Sequence, residues 1–578
     1  MQNRNIVGKY RFSAYQERMK RSIYLSVFLI ISLIVNAQAQ TWRSELYPRN
    51  WQPPTASNFY SDKLIQDFSY AGYHRGEKEV PVRIGAVLDV TKPPYNADNT
   101  GKQDVTAILQ KAIDDAGRKK KGGIVYLPQG TFKVNPVAGK NYCLRINRSY
   151  VVLRGAGPGQ TLVYNASANM RHKTIIAVDN GNSWSDTGDN KQLITKDLLQ
   201  PTTIIPVQST SGFKAGDVVI IRNYINNDWI EKHNMLAYWQ DKGRSLDGQL
   251  YCREIKAINP KTKELTIDIP IRYALETAHG AAVYKAPAQL TEVAIENLSI
   301  GNHQNFTTGD WSEESYHQES NGSYQCHDAW AISMAHTYNG WIRRVASYQP
   351  AENTSKAHLL SNGIKVSQTK NISIINCDFK KPQFGGGGGN GYMYRVMGNE
   401  TLLQNCIADF NRHGFVMSHM SASGNVFLRC LDKDSGRQTG LPGYEKTNGS
   451  GSDHHMWFSH SNLFDQCTVE NSYFAAGWRK WGGSTIHGLT AAHSVYWNLT
   501  SNGSQANAVQ TQQGRYGYVI GTAGNKPEVR TSAWEPGTEV ITSPVDYVEG
   551  IGKSANLDPQ SLYLDQKSKR LTKRSGKK

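Results

Sequence analysis

Among its 578 residues the chain has no apolar run of bilayer-spanning length, no even set of cysteines, almost no long amphipathic helix, and no HExxH or CxxC spacing. Each absence excludes something. The longest apolar stretch, Ile23 to Val35, is short of the roughly 20 residues a spanning helix needs. Preceded by Lys20 and Arg21 and followed by Ala37-Gln38-Ala39, it reads as a secretory signal peptide over 1–39, so membrane insertion is not expected and an exported protein, periplasmic or extracellular, is. The missing motif spacings argue against a catalytic zinc site, and no metal is assigned. Calcium held by Asp409, Asp432, Asp434 and Asp453 is the one cofactor left open. "FGGGGGNGY" (384–392) is followed by no Lys-Ser/Thr and helix, which excludes phosphate cradling; it reads as a flexible loop entering a site.

Acidic residues are the scarcer charge, 48 against 65 basic, giving +17. The excess is concentrated at the ends: 1–39 carry +5 and 564–578 carry +6, leaving +6 for the body. That bias suits an anionic ligand and gives no reason to expect nucleic acid; the tail from 564 reads as solvated and disordered.

Seven cysteines are present, four in similar contexts: Cys377, Cys406, Cys430 and Cys467 each follow a short apolar stretch, at gaps of 29, 24 and 37 residues. Gaps of that size mark a repeat array, and thiols at equivalent places in a repeat read as a buried column. Short β-rich segments separated by Asn, Gly and Ser fill the intervals. The exception is "DVTAILQKAIDDAGRK", where Val105, Ile108, Leu109, Ala112, Ile113 and Ala116 have helical spacing behind Asp104.

This helix belongs to "RIGAVLDVTKPPYNADNTGKQDVTAILQKAIDDA", followed by "GGIVYLPQGTF". The pair resembles the N-terminal cap of the pectate-lyase-like proteins, which implies an all-β chain wound as a single-stranded right-handed parallel β-helix behind a capping helix. Strings such as "RHGF", "SDHHM" and "AHSVYWN" are similar to those of a group of exported β-helix proteins to which no activity attaches. The expected organisation is an N-terminal extension (40–82), cap and first rungs (83–180), an inserted β-hairpin or small β-domain (181–290), rungs carrying the site (291–525), a C-terminal segment packing on the helix (526–563), and the tail. The insert's loop carries Asn227, Trp229, His233, Tyr238 and Trp239.

Six strands can be registered on one another. Ile332, Ile364, Tyr394, Phe415, Met456 and Leu489 form one inward column, and Met334, Val366, Val396, Met417, Phe458 and Ala491 a second. Ser333, Lys365, Arg395, Val416, Trp457 and Thr490 then face out, because side chains alternate along a strand. His336, His419, His460 and His493 fall at the strand ends, where stacked polar side chains satisfy one another. His413, His454 and His487 fall just before the strands, in line with Tyr392.

A long flat face lined with Trp and Tyr suits an extended polysaccharide. Hydrolysis needs two flanking carboxylates, for which Asp434, Asp453 and Asp409 are the candidates. β-Elimination needs a base for the C5 proton of a uronic acid and cations for its carboxylate. Lys365 and Arg395 on adjacent rungs, with Arg412, His413, His454 and Tyr392 nearby, favour the second, and the resemblance adds that some β-helix lyases use a Lys and an Arg from neighbouring rungs; Asp453 stays a catalytic candidate beside His454. The expectation is a polysaccharide lyase acting on an acidic glycan, with Lys365 or His413 as base, Arg395 or Arg412 neutralising the carboxylate, and His454 or Tyr392 donating the proton. Tyr392, Trp457, His455 and Arg479 are expected to bind substrate. The alternatives are a glycoside hydrolase and a non-catalytic glycan-binding protein.

Overall fold

The structure, a computed structural model, describes residues 41–55, 57–82, 85–236, 239, 248–436, 451–481, 484–532 and 544–575, and only the backbone of 479–481, 484–486 and 574–575. The expected signal peptide and Tyr238 lie outside the described residues. Among the described residues no helix is long and apolar enough to cross a membrane.

The chain winds as a right-handed parallel β-helix, with long sheets of 19 and 12 strands built from parallel pairs of successive rungs. Helix α1 (Thr106–Arg118) covers one end, burying Leu109, Ala112, Ile113 and Ala116, while the Asp104 carboxylate accepts the Thr106 amide at 2.9 Å. The thiol column is present. Cys377, Cys406, Cys430 and Cys467 are buried and unpaired, and their Sγ atoms meet the carbonyls of Ile342, Ile374, Leu403 and Phe427, one rung back, at 3.8, 3.4, 3.6 and 3.1 Å. Each follows a residue in the left-handed region (Asn376, Asn405, Arg429 and Gln466, φ 53–54°). That residue makes the bend, and the small thiol fills the corner inside it. Aromatic rings stack along the same interior, Phe427 on Phe464 at 4.6 Å and Phe464 on Tyr496 at 5.2 Å.

The insert is a six-stranded antiparallel sheet between Gln192 and Lys285. Part of its attachment is a buried ion cluster. Arg272 meets Glu400 through Nη2 at 2.7 Å and Nε at 3.0 Å, Arg253 reaches the same carboxylate at 3.3 Å, and all three are at most 1% exposed. Beside them Phe458, expected in the solenoid core, packs on Trp229, His233, Trp239 and Tyr273 of the insert region.

Residues 564–575, expected as part of a disordered tail, belong to helix α2 (Leu562–Ser575). Its basic residues alternate with a docking face. Tyr563 donates to the Ala71 carbonyl (2.9 Å), Gln566 to that of Gln66 (2.8 Å), and Arg570 pairs with Glu77 (2.8 Å). The N-terminal extension supplies the surface that covers this face.

Candidate functional site

The site lies on the 12-stranded sheet. Ten of its strands run in order along the solenoid: β1 (Tyr142–Ile146), β2 (Thr174–Val178), β3 (Trp330–Ala335), β4 (Asn362–Lys370), β5 (Tyr392–Asn399), β6 (His413–Ser418), β7 (Ser452–Met456), β8 (Phe474–Ala476), β9 (Val509–Thr511) and β10 (Val529–Arg530); Leu290–Thr291 and Thr337–Tyr338 pair off this path. From β3 to β6 the pairing is the expected one: Ser333, Lys365, Arg395 and Val416 follow one another on the outer face. Between β6 and β7 it differs. Val416 pairs with Asp453, not Trp457, and Asp453 with Ala475; a further one-residue irregularity falls between Met417 and Ser418, where His455 is passed over and Ser418 pairs with Met456.

That slip of four residues corrects His454. It pairs with Met417 in the inner column, donates or accepts at Ser459 Oγ through Nδ1 (2.7 Å), and lies against Phe464 and Tyr496. Burial pushes its pKa down to about 3, so the ring is neutral and on the wrong side of the sheet to meet a substrate. Met456, expected inside, is partly exposed. Each strand-end histidine has a polar partner of its own. His336 meets Asp179 (2.7 Å), His419 Ser421 (3.0 Å), His460 the Tyr251 hydroxyl (2.8 Å) and His493 the Phe59 carbonyl (2.8 Å).

The outer face brings together Lys365, Tyr392, Arg395, His413, Asp453, His455 and Trp457. Tyr392 and His413 pair at the starts of β5 and β6, and their rings are 5.3 Å apart. Asp453 and His455, two residues apart on β7, share a face. The Tyr392 hydroxyl lies 3.0 Å from His455 Nε2, and His455 Nδ1 lies 3.0 Å from Asp453 Oδ2. A carboxylate only accepts, so Nδ1 carries the ring proton and Nε2 accepts from the tyrosine. His413 Nδ1 lies 2.7 Å from the Gly451 carbonyl, which likewise fixes its proton on Nδ1 and makes Nε2 the accepting nitrogen. Tyr392, His413, Asp453 and His455 are all buried.

Two cations lie beside this group. The Lys365 ammonium is 4.9 Å from the Trp330 ring, and burial pushes its pKa down while Asp328 opposes the shift. The Arg395 guanidinium is 5.9 Å from the Tyr392 ring and 5.8 Å from the Trp457 ring, and its Nε donates to Ser418 Oγ at 2.8 Å. Adjacent rungs of a parallel sheet are about 4.8 Å apart, so two such cations form one compact anion-attracting patch. Asp328, which the sequence reading missed, anchors the far edge. Burial raises its pKa, but Lys365 and hydrogen bonds with Trp330 Nε1 (2.6 Å) and His172 Nδ1 (3.1 Å) outweigh that and hold it below the ordinary carboxylate value. The signal was an aspartate two residues ahead of a tryptophan that starts a rung.

Other expected residues lie elsewhere. Arg412 is turned to Glu313 (3.1 Å) beneath the glycine-rich loop. That loop is packed, not free to enter the site: Gly387 N bonds the Glu313 carbonyl at 2.8 Å, and a side chain at Gly388, whose φ is +69°, would meet the Tyr316 ring at 2.5 Å. Asp409 and Asp434 belong to rungs of the 19-stranded sheet flanked by Lys380 and Lys433, apart from Asp453. Asp432 is inside the solenoid, its oxygens occupied by the hydroxyls of Ser435, Ser452 and Ser472 at 2.7 Å and the Asn411 amide at 3.2 Å. The aspartates considered for calcium therefore do not converge. Arg479 lies on a hairpin strand (Trp478–Trp481), and its side chain is outside the described residues.

His413, Asp453 and His455 offer ligand atoms within 4.8 Å of one another, a spacing open to a divalent transition metal. With both Nδ1 protons in place the group is a run of hydrogen bonds able to move a proton between Asp453 and the outer face.

Residues 93–329 match the family model described as rhamnogalacturonase A/epimerase, pectate lyase-like. Alginate lyase 7 of Azotobacter vinelandii is 28% identical over 209 residues, 36% of this chain and 22% of its own length, so the match spans about a fifth of that relative. Among solved structures, the tailspike of Pseudomonas phage LKA1 is 15% identical with a TM-score of 0.43, covering 73% of this chain and 57% of its own. The A-module of a mannuronan C-5 epimerase from Azotobacter vinelandii is 14% identical with a TM-score of 0.36, covering 80% of this chain and 98% of its own.

Proposed function

We propose that this pectate-lyase-like right-handed parallel β-helix protein is an exported lyase that cleaves a uronate-containing polysaccharide by β-elimination. The observation that carries the reading is the hydrogen-bonded run from Tyr392 through His455 to Asp453, set beside Lys365 and Arg395 on one face. The lysine and arginine neutralise the uronate carboxylate, which stabilises the charge that builds up as C5 loses its proton. His413 Nε2 takes that proton. The C5–H electrons form the C4=C5 double bond, the C4–O4 bond breaks, and O4 takes the proton of the Tyr392 hydroxyl. The tyrosinate then regains a proton from solvent as His413 loses the C5 proton to it, so the net transfer is from C5 to O4, while His455, its ring proton held on Nδ1 by Asp453, keeps Nε2 as the acceptor that orients the Tyr392 hydroxyl. The basic and apolar pattern of residues 1–39 supports export, and the carboxylates of the hydrolase alternative are not gathered about Asp453.

The test is a panel of acidic and neutral polysaccharides, read for the absorbance of 4,5-unsaturated uronate and for new reducing ends. Both signals rising together on an acidic polymer is the expected result. Reducing ends without absorbance would replace the lyase by a hydrolase, and retention on a glycan column without either would leave a binding protein.

A further inference from the structure

The outer face of the site sheet is open along part of its length and covered along the rest. Ala177, Ser333, Lys365 and Arg395, on consecutive rungs β2 to β5, are each partly exposed. Val416, Asp453 and Ala475, on the next three rungs, are 0% exposed. Gln510, one rung further, is partly exposed again. An alanine pointing outward from a sheet has no length with which to bury itself, so Ala475 is covered by something lying over it.

Part of the cover is identified by contacts on the far side of the proton-moving group. The hairpin of strands Trp478–Trp481 and Ser484–Leu489 rises directly after β8. At its return His487 brings its ring to 5.7 Å from that of His455. Gly488 then packs so closely on the insert that a side chain there would meet Trp239 Nε1 at 2.4 Å, and Trp239 Nε1 reaches the His487 carbonyl at 3.5 Å. The hairpin is thus wedged between the insert and His455. The covered rungs begin beside Tyr392 and His413, where the open ones end.

We infer that the groove is one-sided, and that the enzyme works from a chain end: the polymer lies over Ala177, Ser333, Lys365 and Arg395 while its terminal unit stops against the covered rungs at Tyr392 and His413. The inference rests on the proposed polysaccharide-cleaving reading and adds its mode of attack. A polymer running through the site in both directions would have to occupy the space above Val416, Asp453 and Ala475, which is filled. Released fragments therefore have one small, fixed size.

The experiment takes the full chain and whichever polymer of the panel it cleaves, and follows viscosity and product mass from the first moments of reaction. Chain-end action gives one product size throughout, with viscosity falling far behind bond breakage. A ladder of sizes with an early collapse of viscosity overturns it. If no polymer is cleaved, the lyase reading fails separately, and binding still decides the groove. Tyr392→Phe titrated with size-fractionated alginate and polygalacturonate should bind one protein per chain whatever the chain length. Bound protein that rises in proportion to length, or no binding to either polymer, overturns the inference.

Discussion

The Tyr392 hydroxyl and the His455 ring, 63 residues apart in sequence, meet at 3.0 Å across two rungs of the solenoid. A tyrosine hydroxyl alone keeps its proton at neutral pH. Joined, the two give the tyrosine a partner that can take up or return its proton, and Asp453 holds that partner in one tautomer.

Removing the hydroxyl isolates this step. Tyr392→Phe should lower kcat by about 10²- to 10⁴-fold, the usual worth of a positioned proton donor. KM should change little, because the ring still packs on Trp330 and Val416. Steady-state kinetics on the cleaved polymer, with thermal melting to confirm the fold, reads both.

The cation pair should separate acidic from neutral ligands. Lys365→Ala and Arg395→Ala should each reduce kcat/KM on a uronate polymer by roughly 10²-fold or more, as loss of a preorganised charge partner does, and leave retention on a neutral glycan column unchanged. Equal losses on both kinds of polymer would show that the two side chains merely shape the face.

His454 and His413 should behave as opposites. His413→Ala should cost activity, with about 1–3 kcal/mol of stability lost beside it because the buried ring holds the Gly451 carbonyl, while His454→Leu should leave kcat nearly intact. The His454 substitution should also change the acid side of the stability curve. Its folded pKa of about 3 lies below the unfolded 6.5, so between these values the unfolded chain binds more protons. The stability it contributes is complete above 6.5 and falls as pH drops toward 3. Chemical denaturation from pH 7 to 4 should therefore show a shallower decline in His454→Leu than in the native chain, the difference reaching a few kcal/mol, on the order of 1.4 kcal/mol per pH unit.

Glu400→Gln should destabilise strongly, by about 3–5 kcal/mol, because it leaves Arg253 and Arg272 buried without a counter-charge. Replacing all three by apolar residues should recover much of that loss. Denaturant melts of the single and triple variants measure it.

The sequence carried the solenoid, its capping helix, its thiol column and the adjacency of Lys365 to Arg395. These rest on strict alternation between strands joined by short bends. It lost the register at β7, where the chain between 436 and 451 intervenes and no pattern counts its length. Even there, alternation within "SDHHM" keeps Asp453 and His455 on one face and His454 on the other, whichever rung they meet. The helix at the C-terminus was hidden by its own charge, since Tyr563, Gln566 and Arg570 form a docking face only once residues 66–77 are there to receive them.

The thiol column has a practical reach of its own. A solenoid whose cysteines fill corners as small apolar groups, each stationed against a carbonyl one turn back, reaches its final form without any oxidation step. It has no pairing to get wrong. Reductant leaves its architecture untouched, and a cytoplasm that keeps thiols reduced is as good a place to make it as any oxidising compartment.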